Sequence, residues 1–153
     1  MGDRRHNLER AVSRLAPLVT VTAVSPIYAS EPWGVTDQPE FLNICLAGRA
    51  AASPAELLSF LKNLEIELGR QKTSKWGPRL IDIDILLYAD WIVQSNELTI
   101  PHPFMAERAF VLRPLADIAP GVTHPVNGLT VAEMAAAVSA DGLRKLPEPL
   151  AIW

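Results

Sequence analysis

The sequence predicts an α+β layered domain with a largely antiparallel sheet. Alternating β-branched stretches come in adjacent pairs, helical stretches separate the pairs, and no strict βα alternation runs through the 153 residues. The length suits one domain over 1–153, and 49% hydrophobic with 20% charged residues is the composition of a chain that buries one core.

Asp3 to Leu15 reads as an amphipathic helix, because Leu8, Ala11, Val12 and Leu15 recur at helical intervals with arginines opposite. "LVTVTAVSPIYAS" (18–30) alternates as a strand, with Pro26 marking an edge, a bulge or a bend. The proline- and glycine-punctuated "EPWGVTDQPE" is a loop, and "FLNICLAGRAA" (41–51) is a second strand. "SPAELLSFLKNLEIELGR" is a helix with Ser53 as N-cap, Pro54 at the first position and Gly69 at the far end. After the lysine-bearing loop "QKTSKWGP", Arg79 to Tyr88 reads as a strand, Ala89-Asp90 as a turn and "WIVQSNELTI" (91–100) as the second arm of a hairpin. A helix is expected from about Met105 until Pro114 interrupts it, followed by a short helix at "TVAEMAAAV" (130–138) and C-terminal packing.

A formal charge of −3 and a pI near 5.6 provide no global basic field, which argues against wrapping a nucleic-acid backbone. Cys45 is alone, so an internal disulfide and a cysteine-built zinc site are excluded, and its apolar neighbours mark a small buried hydrophobe. No apolar run reaches a membrane span and the N-terminal residues lack a signal-peptide core, so the cytoplasm is expected. Neither GxxxxGK[ST] nor GxGxxG occurs; any phosphate is handled without a glycine cradle.

The stretch "KWGPRLIDIDILLY" raises a chemical question. In a strand, Ile81, Ile83, Ile85 and Leu87 share one face, while Leu80, Asp82, Asp84, Leu86 and Tyr88 share the other. The two aspartates then sit roughly 6.5 to 7 Å apart at Cα, where like charges repel and strand propensity is poor. One reading is a solvated outer face. The other, favoured by the apolar residues beside them and a half-buried face, is a cation, magnesium first because oxygen ligands suit it. Magnesium held in this way implies a polyphosphate, and Arg70, Lys72, Lys75 and Arg79 around the loop, with His102 and Arg108 from the later helix start, would meet its other oxygens. Taken alone, that loop reads as a solvated basic surface. Trp33 and Trp76, both beside glycine in loops, are either stacking lids or loop packing, and Asn43 either reads a heterocycle edge or is a satisfied structural amide.

"WGPRLIDIDILLY" resembles the signature of the 6-hydroxymethyl-7,8-dihydropterin pyrophosphokinases of folate biosynthesis, and the similarity continues through "NLERAV", "SPIYASEPWGVTDQPEFLN", "IELGR" and "IPHPFMAERAFVLRPLADIAP". The resemblance implies a ferredoxin-like plan and transfer of pyrophosphate from ATP to the hydroxymethyl oxygen of the reduced pterin. It implies two magnesium ions on Asp82 and Asp84, with Arg70 and Arg79 as phosphate clamps. Glu65, Lys72, Lys75, Trp76, Ile85, Thr99, His102 and Arg108 fall on its nucleotide side, and Ser30, Trp33, Phe41, Asn43 and Phe110 on its pterin side. ATP and pterin are the implied partners, with no nucleic acid or membrane, for a monomer.

Members of that family usually carry a strand closing in Gly-Ser-Asn ahead of the first helix, a place in the sheet that "MGDRRHNL" does not supply. Unpaired edges are therefore expected, and a homologue that binds ATP or pterin without aligning them is the alternative.

Overall fold

The computed structural model describes residues 4–30, 40–69 and 81–150. Helix α1 (Arg4–Ser13) turns Ala11 and Val12 inward, and Leu15 follows them into the core. Strand β1 (Val19–Val24) is followed by β2 (Tyr28–Ser30), and β3 (Phe41–Asn43) by β4 (Leu46–Ala50). Each of the two strands expected from the sequence is thus broken in two. Strand β1 pairs with β4 in one antiparallel sheet; β2 lies between β3 and β7 (Leu143–Lys145) in another. Pro26 marks the bend on one strand. There Ser25 donates its N–H to Cys45 O at 2.8 Å, and Cys45 returns its own N–H to Ser25 Oγ at 2.9 Å. Both chains change sheets at that point, and Ile27 beside it is fully buried. In β4, a Cβ on Gly48 would lie 2.8 Å from Thr20 O, so the strands approach there only because the residue has no side chain.

Helix α2 (Pro54–Glu67) forms where its termini predict. Ser53 Oγ accepts the N–H of Glu56, the Glu56 carboxylate accepts that of Ser53, and the chain leaves through Gly69 at φ 109°. Leu61, Leu64 and Leu68 pack on Ala11, Leu15 and Val19, with Ile81, Ile83 and Ile85 closing the same cluster.

Three expectations are corrected. Residues 81–88 form no ladder among the described residues and so are no strand, although the burial of their side chains still alternates over 81–85. The hairpin lies inside 91–100 instead: β5 (Val93–Gln94) pairs with β6 (Thr99–Ile100). Ser95 supplies the turn, its N–H donating to Leu98 O and its Oγ accepting the N–H of Leu98. Pro114 does not end a helix either. A 3-10 turn, η1 (Met105–Glu107), stops at extended Arg108, and α3 (Ala109–Ile118) carries Pro114 inside it. One lost N–H is tolerated because Pro114 is buried and its neighbours Leu112 and Leu115 pack against Met105, Val131 and Met134. Helix α4 (Val131–Ala136) is closed by a Thr130–Glu133 capping box. Among the described residues every strand pair is antiparallel, and the arrangement is the open α+β one that a ferredoxin-like layered plan implies. Among the described residues no helix is long and apolar enough to cross a membrane.

Candidate active site

The acidic pair lies on the solvent side of 81–88. Ile81, Ile83 and Ile85 face the α1–α2 core, so Asp82 and Asp84 alternate outward and are exposed. The half-buried surroundings expected for the pair are found at Leu86 and Tyr88, not at the aspartates. With no ladder partner among the described residues, the segment is held in other ways. Ile83, between the two aspartates, donates its N–H to Glu65 Oε2 at 2.6 Å; Glu65 is 1% exposed and its Oε1 lies 3.6 Å from Lys62 Nζ. Downstream, His102 donates its N–H to Leu86 O at 2.9 Å. Tyr88 OH donates to Ala52 O beyond it.

His102 follows Pro101, whose peptide bond with Ile100 is cis. Its Nδ1 accepts the N–H of Phe104 at 3.2 Å, which places the proton of the neutral ring on Nε2. Burial lowers its pKa, opposed by the nearby Asp84 charge and reinforced by Arg108. The Arg108 guanidinium lies over the rings of Phe104 and Phe110, 5.1 Å and 5.6 Å from their centroids. Thr99 is half-buried in β6, and Ile85 is half-buried against the α2 leucines.

On the second sheet, Tyr28 and Ser30 of β2 sit opposite Asn43 and Phe41 of β3. Asn43 Nδ2 donates to Ser30 Oγ at 3.0 Å, so this amide is partnered within the described residues, and Phe41 is 55% exposed at the strand end. Helix α3 brings half-buried Phe110 in its first turn. Deeper along α3, Asp117 Oδ2 accepts the Tyr28 hydroxyl at 2.5 Å and lies 3.4 Å from Lys145 Nζ. Burial first, then that hydrogen bond, push the Tyr28 phenol up to about 12. Trp33, Arg70, Lys72, Lys75, Trp76 and Arg79 lie outside the described residues.

Sequence reasoning brought Asp84, His102 and Arg108 to one neighbourhood, and Ser30, Phe41 and Asn43 to one sheet end. It missed the Ile83 anchor on Glu65, the Phe104 ring under Arg108 and the Tyr28–Asp117 bond. Only the last left a trace in the sequence, a polar pair in two otherwise apolar segments. Two carboxylates on one side of an anchored segment can share a hard cation with substrate oxygens. Among the described residues no group of three or more His, Cys, Asp or Glu side chains could hold a metal by itself. This donor set fits magnesium, which keeps waters and binds through one or two carboxylates plus phosphate.

Residues 1–120 match the family model described as 7,8-dihydro-6-hydroxymethylpterin-pyrophosphokinase. The chain belongs to this family. It is 41% identical over 126 residues to the 2-amino-4-hydroxy-6-hydroxymethyldihydropteridine pyrophosphokinase of Aquifex aeolicus, covering 82% of this chain and 79% of that protein. The enzyme of the same name from Pseudomonas aeruginosa is 42% identical over 149 residues, 96% of this chain and 91% of its own. The folic acid synthesis protein fol1 of Schizosaccharomyces pombe is 40% identical over 146 residues, 94% of this chain but 20% of that protein.

Proposed function

We infer that the protein transfers pyrophosphate from ATP to the hydroxymethyl group of 6-hydroxymethyl-7,8-dihydropterin, giving AMP and the pterin diphosphate, in folate biosynthesis. The observation that carries this is the family match over residues 1–120, within which Asp82 and Asp84 stand in water on a segment anchored by Glu65. Relatives named as pyrophosphokinases favour an active enzyme over a homologue that only binds.

Asp82 and Asp84 would hold magnesium, two ions by family resemblance. When bound, it neutralises phosphate charge and aligns the oxygens for in-line displacement. The remaining chemistry belongs to the chain. His102 and Arg108 donate to nucleotide oxygens; Thr99 and Ile85 complete the nucleotide side, and by sequence position Lys72, Lys75 and Trp76 join them, whereas Glu65, expected there from the sequence, is buried and serves the site by holding the Ile83 N–H. Arg70 and Arg79 clamp the phosphates. Ser30 and Asn43 fix the pterin edge, while Phe41, Phe110 and Trp33 offer ring surface to its heterocycle. The hydroxymethyl oxygen attacks the β-phosphorus, the bond from that phosphorus to the α–β bridging oxygen breaks, AMP leaves and the hydroxyl proton passes to solvent.

Incubation with ATP, Mg2+ and the hydroxymethyl dihydropterin is expected to release AMP in step with pterin diphosphate. Formation of ADP instead would refute this reaction.

A further inference from the structure

Phe104 is 50% exposed, in the short turn between His102 and η1. A single apolar side chain in water is unremarkable by itself. Its neighbours make it otherwise. The Arg108 guanidinium carbon lies over its ring at 5.1 Å, the His102 ring meets it edge-on at 6.1 Å, and its own N–H donates to His102 Nδ1. The same guanidinium reaches Phe110 at 5.6 Å, at the start of α3. Among the described residues the Arg108 head rests on these two rings, with no carboxylate in ion-pair range.

An arginine in water samples many rotamers, and ordering it at the moment of binding weakens the interaction it makes. Attraction to an aromatic face acts on the plane of the guanidinium and leaves its N–H edge for an anion. The backbone at Arg108 is extended, at φ −115° and ψ 108°, so no helix face constrains the side chain. The rings do that work instead.

We propose that Phe104 is a positioning residue that holds the Arg108 guanidinium ready for the phosphates of a nucleoside triphosphate, in register with Phe110 on the pterin side. The proposal rests on the reading of Arg108 as a nucleotide-side residue, and its test separates the two.

Calorimetric titration with a non-hydrolysable ATP analogue and Mg2+ supplies the readout. Phe104→Leu, which keeps apolar bulk, is expected to weaken binding about two- to fivefold, with an unchanged melting temperature because the ring is half in water. Phe104→Tyr is expected to restore it. Mono-, di- and trifluorinated phenylalanines at position 104, similar in size but with progressively weaker ring faces, should lower affinity in graded steps, which a packing role would not produce. In an Arg108→Ala background, Phe104→Leu should have no further effect. A flat fluorination series alongside weakened binding by Arg108→Ala overturns the role of Phe104 and leaves Arg108 in place. Unchanged binding by Arg108→Ala overturns the nucleotide reading of Arg108 itself.

Discussion

Asp82 and Asp84 face water because the isoleucines on either side of them are drawn to the α2 leucines. The alternation was legible in "IDIDI"; the exposure was not, since it depends on what covers the other face. Replacing either aspartate by asparagine keeps size and removes the charge that a hard cation requires. Each variant is expected to lose on the order of 100-fold or more in kcat, measured as AMP release at saturating ATP, while its melting temperature holds. His124 titrates for a different reason. Its Nδ1 accepts the N–H groups of Val126 and Asn127, both at 3.2 Å, and burial lowers its pKa. A folded-state pKa below the unfolded value means that its contribution is complete above about pH 6.5 and is lost as the pH falls through the folded value. Urea unfolding at about pH 7 and about pH 5 should show a stability loss that shrinks in His124→Asn. Cys45, whose thiol burial pushes up to about 12, should resist alkylation in the native state.

Among the elements, the helices with complete caps were the most readable. Ser53, Pro54 and Glu56 at one end of α2, and Thr130 with Glu133 before α4, are local signals whose partners lie three residues away. The extended segments were read less well, because alternation predicts an exposed and a buried side but not a pairing partner. Thus 91–100 closes on itself around Ser95, and 81–88 is anchored by a helix carboxylate rather than a neighbouring strand. That anchor has a measurable signature. Glu65→Ala leaves the Ile83 N–H unpaired and is expected to cost about 1 to 3 kcal/mol in urea unfolding. Glu65→Gln, which retains an acceptor oxygen, should recover most of it. Faster hydrogen exchange at the Ile83 amide in the alanine variant would locate the loss.

The whole molecule divides at the bend where β1 gives way to β2 and β3 to β4. On one side the first sheet, α1, α2 and the isoleucines of 81–85 form a cluster beneath the acidic pair; on the other, β2, β3 and β7 pack with α3. No local signal announced that division beyond Pro26, since the matching break at Cys45 lies in an unbroken apolar run. Ser25 is 2% exposed, and its hydroxyl is the acceptor for the Cys45 N–H. Ser25→Ala therefore strands a buried donor and is expected to cost about 1 to 3 kcal/mol in urea unfolding.

Ser25 and Cys45 thus act as the spine of a two-leaved book, with the acidic pair resting on one leaf and the asparagine that meets Ser30 on the other. The angle between the leaves is set at the binding together with Val12 and Ile27, which pack with Val21, Leu42 and Leu46 from both leaves. A loosened spine would let the pages drift, and turnover would fall in a protein whose every reactive side chain remained intact.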